Sequence, residues 1–434
     1  MTTSNKGIGP RRRMLSALTF GLLGPGVRIG RGDSAVSAWT GAQTNSVLNQ
    51  ARCGAMSLKI ARVTPLILRI PKTSQVHFLL CRIDTEDGLT GWGEGTHWPL
   101  VADAATEIEL VKRHVIGQSA FDIEKIWRRV SSVHSPSYGA SLQSAVSAID
   151  IALWDIVGQA LGVPVYKLLG GKVNDKVKFY KSFYPSRGWT KMPRTFEAYA
   201  KLGKELGAAG VLAGKWMVPA AAGSNRQVTL ETVNQTVEIV RGLREGAPNL
   251  EICLEGSGRF NVASAVRIAK AVEPYSPLFF EEPVPEHVDA YLQVQQATSV
   301  PLAGGERLKS RLEAKDFIER GALRVFQPDA ARCGGITEFR KMVAMAEAHL
   351  IPLSPHNPNG PVCLAAHLHL AASSPSFLML EEGYTDPALC RELFGEWKQE
   401  PAHFPVPERP GLGISLPDAF IREHSVDIDK AERN

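Results

Sequence analysis

From residue 250 onward, short apolar runs recur along the chain, each stopping abruptly at an acid or a histidine before an amphipathic stretch begins. The run at 250–254 stops at Glu255, 278–280 at Glu281, 301–305 at Glu306, 324–328 at Asp329, 351–355 at His356 and 377–380 at Glu381. Successive stops lie 23 to 27 positions apart, the span of one strand plus one crossover helix. Apolar residues at three- and four-residue spacing predict the helices between them, over 262–272, 288–297, 311–320, 336–349 and 362–372. An earlier unit reads as helix 196–208, strand 211–215 and helix 228–242. Repeated βα units either close into a barrel or spread into an open doubly wound sheet. A barrel is favoured, because a reactive residue ends nearly every strand and only closure makes those ends converge.

Residues 57 to about 180 follow another pattern. Strands are predicted at 59–70, 76–84 and 91–95, with a turn at Asp87-Gly88, and helical periodicity is strongest over 141–161. The expected division is a terminal extension (1–55), an α+β capping domain (56–180), a catalytic barrel (181–383) and a Gly/Pro-rich tail (384–434) that packs back on the capping domain.

Composition narrows the picture only slightly. The 434 residues carry a formal charge of +5, with 49 basic and 44 acidic side chains. Much of the excess sits in Arg11, Arg12, Arg13, Arg28 and Arg31, so the body is nearly neutral and gives no reason to expect nucleic acid or membrane as a partner. No uninterrupted apolar run reaches membrane-spanning length. Six scattered cysteines without a CxxC pair read as reduced, buried thiols. The arginine triplet with the apolar stretch after it suits a twin-arginine-like export signal at 1–38 or an organelle transit segment. A start placed too early is the rival, since Met56 opens a clean strand pattern. The expected location is cytoplasmic, with export as the alternative.

Glu255, Glu281 and Glu306 end three consecutive predicted strands and so are expected to face one point at the barrel mouth. Three carboxylates that close repel unless a cation neutralises them. Oxygen-only ligands suit Mg²⁺. Such an ion can bind a substrate carboxylate and stabilise the charge left when the alpha proton departs. His356 is the candidate base, with Asp329 one strand away to orient its ring. Lys215 is expected at a strand end, holding the substrate's negative charge or shifting a neighbour's pKa, and Glu381 is expected to bind the substrate carboxylate.

Taken together, these residues resemble the enolase superfamily in its mandelate racemase and muconate lactonizing branch. The resemblance runs from about 57 to the end and rests on Ala148 to Asp155, Gly162 to Val165, Leu168 to Gly171, Glu281-Glu282-Pro283, Gly305-Glu306-Arg307, Gln327-Pro328-Asp329, Gly334 to Glu338 and Pro355-His356-Asn357-Pro358. It implies a modified (β/α)7β barrel under a capping α+β domain, bound Mg²⁺, abstraction of a proton alpha to a carboxylate, and a homo-oligomer. The run Pro355 to Pro361 is most similar to acid-sugar dehydratases of the galactonate type, which implies dehydration of an aldonate to a 2-keto-3-deoxy acid. It also implies that cap loops near Thr96 to Leu100 and Ser131 to Tyr138 select the substrate.

Three positions depart from the pattern the resemblance implies. Glu255 stands where an aspartate is usual, its carboxylate one methylene, or about 1.5 Å, further out. Ser257 stands where a histidine general acid is expected, and serine is a poor proton donor at neutral pH. Met217 stands where a second basic residue follows Lys215. A racemase or epimerase, and a barrel that binds a carboxylate without turnover, are therefore the alternatives to a dehydratase.

Overall fold

The computed structural model describes residues 57–70, 77–133, 139–184, 193, 195–219, 226–383 and 386–427. The export or transit segment expected at 1–55 lies outside the described residues, as do positions 134–138 of the second expected cap loop.

An antiparallel sheet opens the fold: β1 (Ile60–Leu68), β2 (Phe78–Thr85) and β3 (Thr90–Glu94). Helices α1 (Val101–Val111), α2 (Ile123–Ser131), α3 (Ala140–Leu161) and the short α4 (Val165–Leu168) follow. Strand β3 lies almost directly on α3 because its inward positions are glycines. A Cβ at Gly93 would sit 1.7 Å from the carbonyl oxygen of Ala148, and one at Gly95 2.2 Å from that of Ser144, so no other residue permits this approach. Helix α3 contains no uninterrupted apolar run of membrane-spanning length, but by length and mean composition it is apolar enough to cross a membrane. However, 78% of its most apolar window is buried inside the protein, and this helix is the core element against which cap sheet and barrel both pack.

The barrel begins with β4 (Lys176–Phe183). It continues through α5 (Phe196–Ala208), β5 (Ala213–Met217), α6 (Leu230–Gly246), β6 (Glu251–Glu255), α7 (Val262–Val272), β7 (Phe279–Glu281) and α8 (Val288–Ala297). Then come β8 (Leu302–Gly304), α9 (Arg311–Glu319), β9 (Val325–Phe326), α10 (Gly335–Ala348), α11 (Pro361–Ser373) and β10 (Leu380–Glu381). The helices start where the sequence supplies a cap: Thr195, Thr229, Asn261 and Ser310 each accept a hydrogen bond from the backbone N–H three residues on, each contributing about 1 kcal/mol.

Strands β4 to β9 pair in parallel in chain order, and β10 pairs with β4. The remaining gap is closed by Leu353, which bridges Phe326 on one side and Phe377 on the other. The result is the expected (β/α)7β barrel. Tyr180, Ala213, Cys253, Phe279, Ala303, Val325 and Met379, one from each of seven neighbouring chain segments, pack into a layer inside it. Strand β5 starts at Ala213, two residues later than the pattern predicts, with Val211 and Leu212 in the connection after α5. Lys215 is consequently in mid-strand, paired with Cys253, and does not end the strand.

The tail adds a strand to each sheet. After α12 (Pro387–Phe394), β11 (His403–Pro405) pairs antiparallel with β4. After α13 (Asp418–His424), β12 (Ser425–Val426) pairs with β1.

Helix α3 is tied to the barrel by polar side chains that recur through one face. Ser147 Oγ accepts from the N–H groups of Gly334 and Gly335, at 2.8 and 3.1 Å. Gln143 donates to the carbonyls of Lys309 and Cys333, and Trp154 Nε1 to Thr337 Oγ1. Asp150 accepts from the Thr337 N–H at 3.0 Å. Asp155 accepts from the N–H of Trp92 in β3 and of Leu412 in the tail, at 2.9 and 2.8 Å, joining three parts of the chain at one buried carboxylate.

Replacing Asp155 with alanine strands two buried N–H groups, and urea unfolding is expected to register a loss of about 2 to 5 kcal/mol. Asp150 gives a pH signature. Burial lifts its pKa from 3.8 to about 7, against the hydrogen bonds from Thr337, so the folded chain holds that proton more tightly than the unfolded one. Its contribution to stability is greatest below pH 3.8 and is lost as pH rises toward about 7. Asp150→Asn is expected to remove this slope, raising the melting temperature more at pH 8 than at pH 4.

Candidate active site

Strand register places the candidate residues at different heights. Glu255 and Glu281 are direct partners at the ends of β6 and β7, and Met217 is level with Glu255 on β5. Alternation along β5 turns Ala213, Lys215 and Met217 to the same side, with Lys215 one step below the mouth. Glu306 departs from expectation. Strand β8 ends at Gly304, and Gly305, at φ +122°, swings the chain so that Glu306 stands in the turn beyond it. Asp329 and His356 lie beyond the paired residues Phe326 and Leu353 in the same way.

Two clusters result, and Glu381 lies between them. In the first, the Lys215 ammonium is 2.7 Å from Glu281 Oε1, 3.2 Å from Glu255 Oε2 and 3.6 Å from Glu381 Oε1, all buried. Burial alone would strip the proton from this lysine, but Glu281 and Glu381 outweigh it and hold the amine charged, its pKa well above 10.5. Glu281 also accepts from Gln327 Nε2 at 2.7 Å. Its pKa is nevertheless raised well above 4.5, by burial first and then by the charge of Glu255. One ammonium does not offset this much negative charge.

In the second cluster His356 is held at both ring nitrogens, with Nδ1 2.9 Å from Asp329 Oδ2 and Nε2 2.8 Å from Glu306 Oε2. Burial and Arg332 push its pKa down, yet the charge of Glu306 and the hydrogen bonds His356 donates to Asp329 and Glu306 prevail and lift it to about 9. Asp329 is depressed below 3.8 in spite of its burial, because His356 and Arg332 stabilise its charge. Arg332 reaches Glu306 at 3.2 Å and Asp329 at 3.3 Å. Glu381 accepts from Ser182 Oγ at 2.6 Å and from the Asn357 N–H at 3.1 Å.

The structure thus brings Glu255, Glu281, Lys215 and Glu381 together, and sets Glu306 with His356 and Asp329. Sequence reasoning missed several members. Asn359 Nδ2 spans both oxygens of Asp329, at 2.8 and 3.0 Å, and the Ala331 N–H adds a third donor at 2.8 Å. Gln327 and Asn359 lie inside motifs already singled out, which was the available signal, whereas nothing in the spacing pointed to Arg332 or to Tyr184, whose hydroxyl lies 3.4 Å from Glu255 Oε2. From the cap, Glu94 accepts from the N–H groups of Gly360 and Cys363 at the start of α11, directly after the His356 loop. His97, in the expected cap loop, lies within electrostatic reach of Arg332, Asp329, Glu306 and His356, and burial and Arg332 bring its pKa down to about 4.

Among the described residues, the tight group of potential metal-binding atoms is Asp329, Cys363 and His367, within 4.8 Å of one another. Both ring nitrogens of His367 are engaged inside the protein, Nε2 by the Ala330 N–H and Nδ1 by Asn357 Oδ1. His367 thereby holds the backbone beside Asp329 and the Asn357 side chain. The three glutamates stand wider apart, with Lys215 between two of them and His356 against the third.

Comparison with known proteins agrees with this architecture. The model of the mandelate racemase/muconate lactonizing enzyme N-terminal domain matches residues 55–170, and that of the enolase C-terminal domain-like family matches 200–420. The chain is 33% identical over 386 residues to a D-galactonate dehydratase of Pectobacterium atrosepticum, covering 85% of this chain and 94% of that protein. It is 33% identical over 375 residues to a D-gluconate dehydratase of Thermoproteus tenax, covering 84% and 74%. A solved mandelate racemase/muconate lactonizing enzyme-like protein from Roseovarius sp. TM1035 superposes with a TM-score of 0.77 at 33% identity, over 84% of this chain and 95% of that one.

Exchanging Lys215 for methionine leaves Glu281, Glu255 and Glu381 facing one another without their cation. Breaking a buried pair on one side costs about 3 to 5 kcal/mol. Denaturant unfolding is expected to show that loss in full at pH 8 and a smaller one at pH 5, where protonation of Glu281, whose pKa burial raises, relieves part of the repulsion.

Proposed function

The chain belongs to the mandelate racemase and muconate lactonizing enzyme family of the enolase superfamily, and from that premise we propose that it is a hydro-lyase dehydrating an aldonate to a 2-keto-3-deoxy acid. Relatives named as galactonate and gluconate dehydratases support the substrate class. The observation that carries the reading is the buried His356–Asp329 pair, whose second imidazole nitrogen is directed toward the carboxylate cluster.

Glu255, Glu281 and Glu306 would hold Mg²⁺. Their donor set fits, since it is all oxygen, and Glu255 and Glu281 share one ammonium with Glu381. When bound, such an ion supplies Lewis-acid stabilisation of the charge that develops on the substrate carboxylate.

The chain's own residues do the rest. Asp329, fixed by Asn359, the Ala331 N–H and Arg332, holds the imidazole so that Nε2 is the reactive nitrogen. Nε2 takes the proton from C2 of the substrate, and the electrons of that C–H bond form the C2–C3 double bond as the C3–O bond breaks. The departing hydroxyl needs a proton to leave as water. Ser257 spends its hydroxyl on Glu255 and Met217 has no proton to give, so in this reading His356 returns the proton it took, on the same face. The enol released then tautomerises to the 2-keto acid. Lys215 serves by holding Glu281 and Glu255 in place.

Epimerisation is less well supported. It needs a second acid/base group on the opposite face, and the Lys215 ammonium is enclosed by Glu281, Glu255 and Glu381 at 2.7, 3.2 and 3.6 Å. A cytoplasmic homo-oligomer acting in carbohydrate acid catabolism completes the proposal.

Galactonate, gluconate and other aldonates incubated with the protein and Mg²⁺ in deuterated water, followed by NMR, are expected to yield a 2-keto-3-deoxy product. His356→Asn is expected to reduce the rate by a factor of about a hundred to ten thousand, and EDTA to abolish it until Mg²⁺ is restored. Deuterium exchange at C2 without elimination would instead identify an epimerase. Neither exchange nor product from any aldonate, alongside ligand-induced thermal stabilisation, would mark a binding protein and overturn the reading.

A further inference from the structure

Met217, Glu255 and Ser257 meet at one point. Met217 and Glu255 are register partners on β5 and β6. Ser257 Oγ lies 3.0 Å from Glu255 Oε1 and 3.7 Å from Met217 Sδ. The Ser257 N–H donates to the same Oε1 at 2.5 Å. That double contact requires the chain to turn back on itself, and Ser257 does so at φ +51°, in the left-handed region. The turn is pinned on its other side, where the N–H groups of Gly256 and Gly258 donate to the carbonyls of Glu281 and Glu282, at 2.8 and 2.7 Å. Gly256 cannot be larger, since a Cβ there would sit 2.5 Å from the Glu282 carbonyl oxygen.

The two oxygens of Glu255 are therefore unequal. Oε1 is occupied by both donors of Ser257. Oε2 faces the Lys215 ammonium at 3.2 Å and the Tyr184 hydroxyl at 3.4 Å. A glutamate has one more rotatable bond than an aspartate, and without a restraint its carboxylate would sample several directions. We infer that Ser257 is a positioning residue: its hydroxyl and N–H clamp Glu255 so that Oε2 stays presented to a divalent cation at the strand ends. Glu255 and Ser257 form a functional pair, in which the serine sets cation affinity and takes no part in proton transfer. Met217 fills the space beside the small serine. This inference rests on the Mg²⁺ site proposed above. Partners of a ligating carboxylate typically change metal affinity by about ten- to a hundredfold when removed.

The test is Mg²⁺ binding, measured by titration calorimetry on the full chain without substrate, in a cycle of Ser257→Ala, Glu255→Asp and the double variant. Ser257→Ala is expected to weaken Mg²⁺ about tenfold with the urea midpoint of the metal-free protein unchanged. Ser257→Gly, which suits the positive φ and also lacks the hydroxyl, is expected to show the same loss. In the Glu255→Asp background, where the carboxylate draws back from the hydroxyl, Ser257→Ala is expected to change affinity less than twofold. Unchanged Mg²⁺ affinity in Ser257→Ala, or an equal loss in both backgrounds, overturns the pairing and leaves the proposed function standing. Failure of the wild-type chain to bind Mg²⁺ overturns the cation site itself.

Discussion

Carboxylates taken out of water repel one another, and at the mouth of this barrel that repulsion governs the arrangement of nearly every other polar group. Glu255, Glu281 and Glu381 surround a single ammonium, while Glu306 and Asp329 share an imidazole and a guanidinium. The cations hold the two clusters together, yet the Lys215 ammonium alone faces three of the carboxylates. A site with residual negative charge is one a divalent cation enters favourably. The same field explains why the pKa of His356 is raised despite its burial.

Such a site needs rigid walls, and the cap provides some of them. The GWGEG run of β3 lies flat on α3 only because its glycines admit the helix backbone. That contact brings Glu94 to the start of α11, where it anchors the loop carrying His356 and Asn359. Residues 143 to 155 of α3, which look like an ordinary apolar helix with a few polar interruptions, use those interruptions to hold the backbone after β9. Cap and barrel are therefore joined through the segments that carry the candidate base and its partner.

The strand-and-helix metre was legible because a buried parallel strand must be apolar and must stop where the chain returns to solvent. Helices 262–272 and 288–297 fall where the spacing put them. The misplacement of Lys215 at a strand end has a physical cause: Val211 and Leu212 are as apolar as a strand requires, but the strand begins only at Ala213 and runs on to Met217. Glu306 failed similarly, since spacing reports the length of a unit and not where within it pairing stops. Asn359, Arg332 and Tyr184 escaped notice because a polar residue beyond a strand end has no periodicity to betray its direction.

By itself the sequence determined the order of the elements and which acidic and basic residues follow the apolar runs, since each follows from local pattern. Only the tertiary structure decided which carboxylate meets which cation, and that Ser257 spends its hydroxyl on Glu255. Those pairings depend on strand register and side-chain direction across distant parts of the chain, to within an ångström or so. A periodicity measured in whole residues carries no information at that scale.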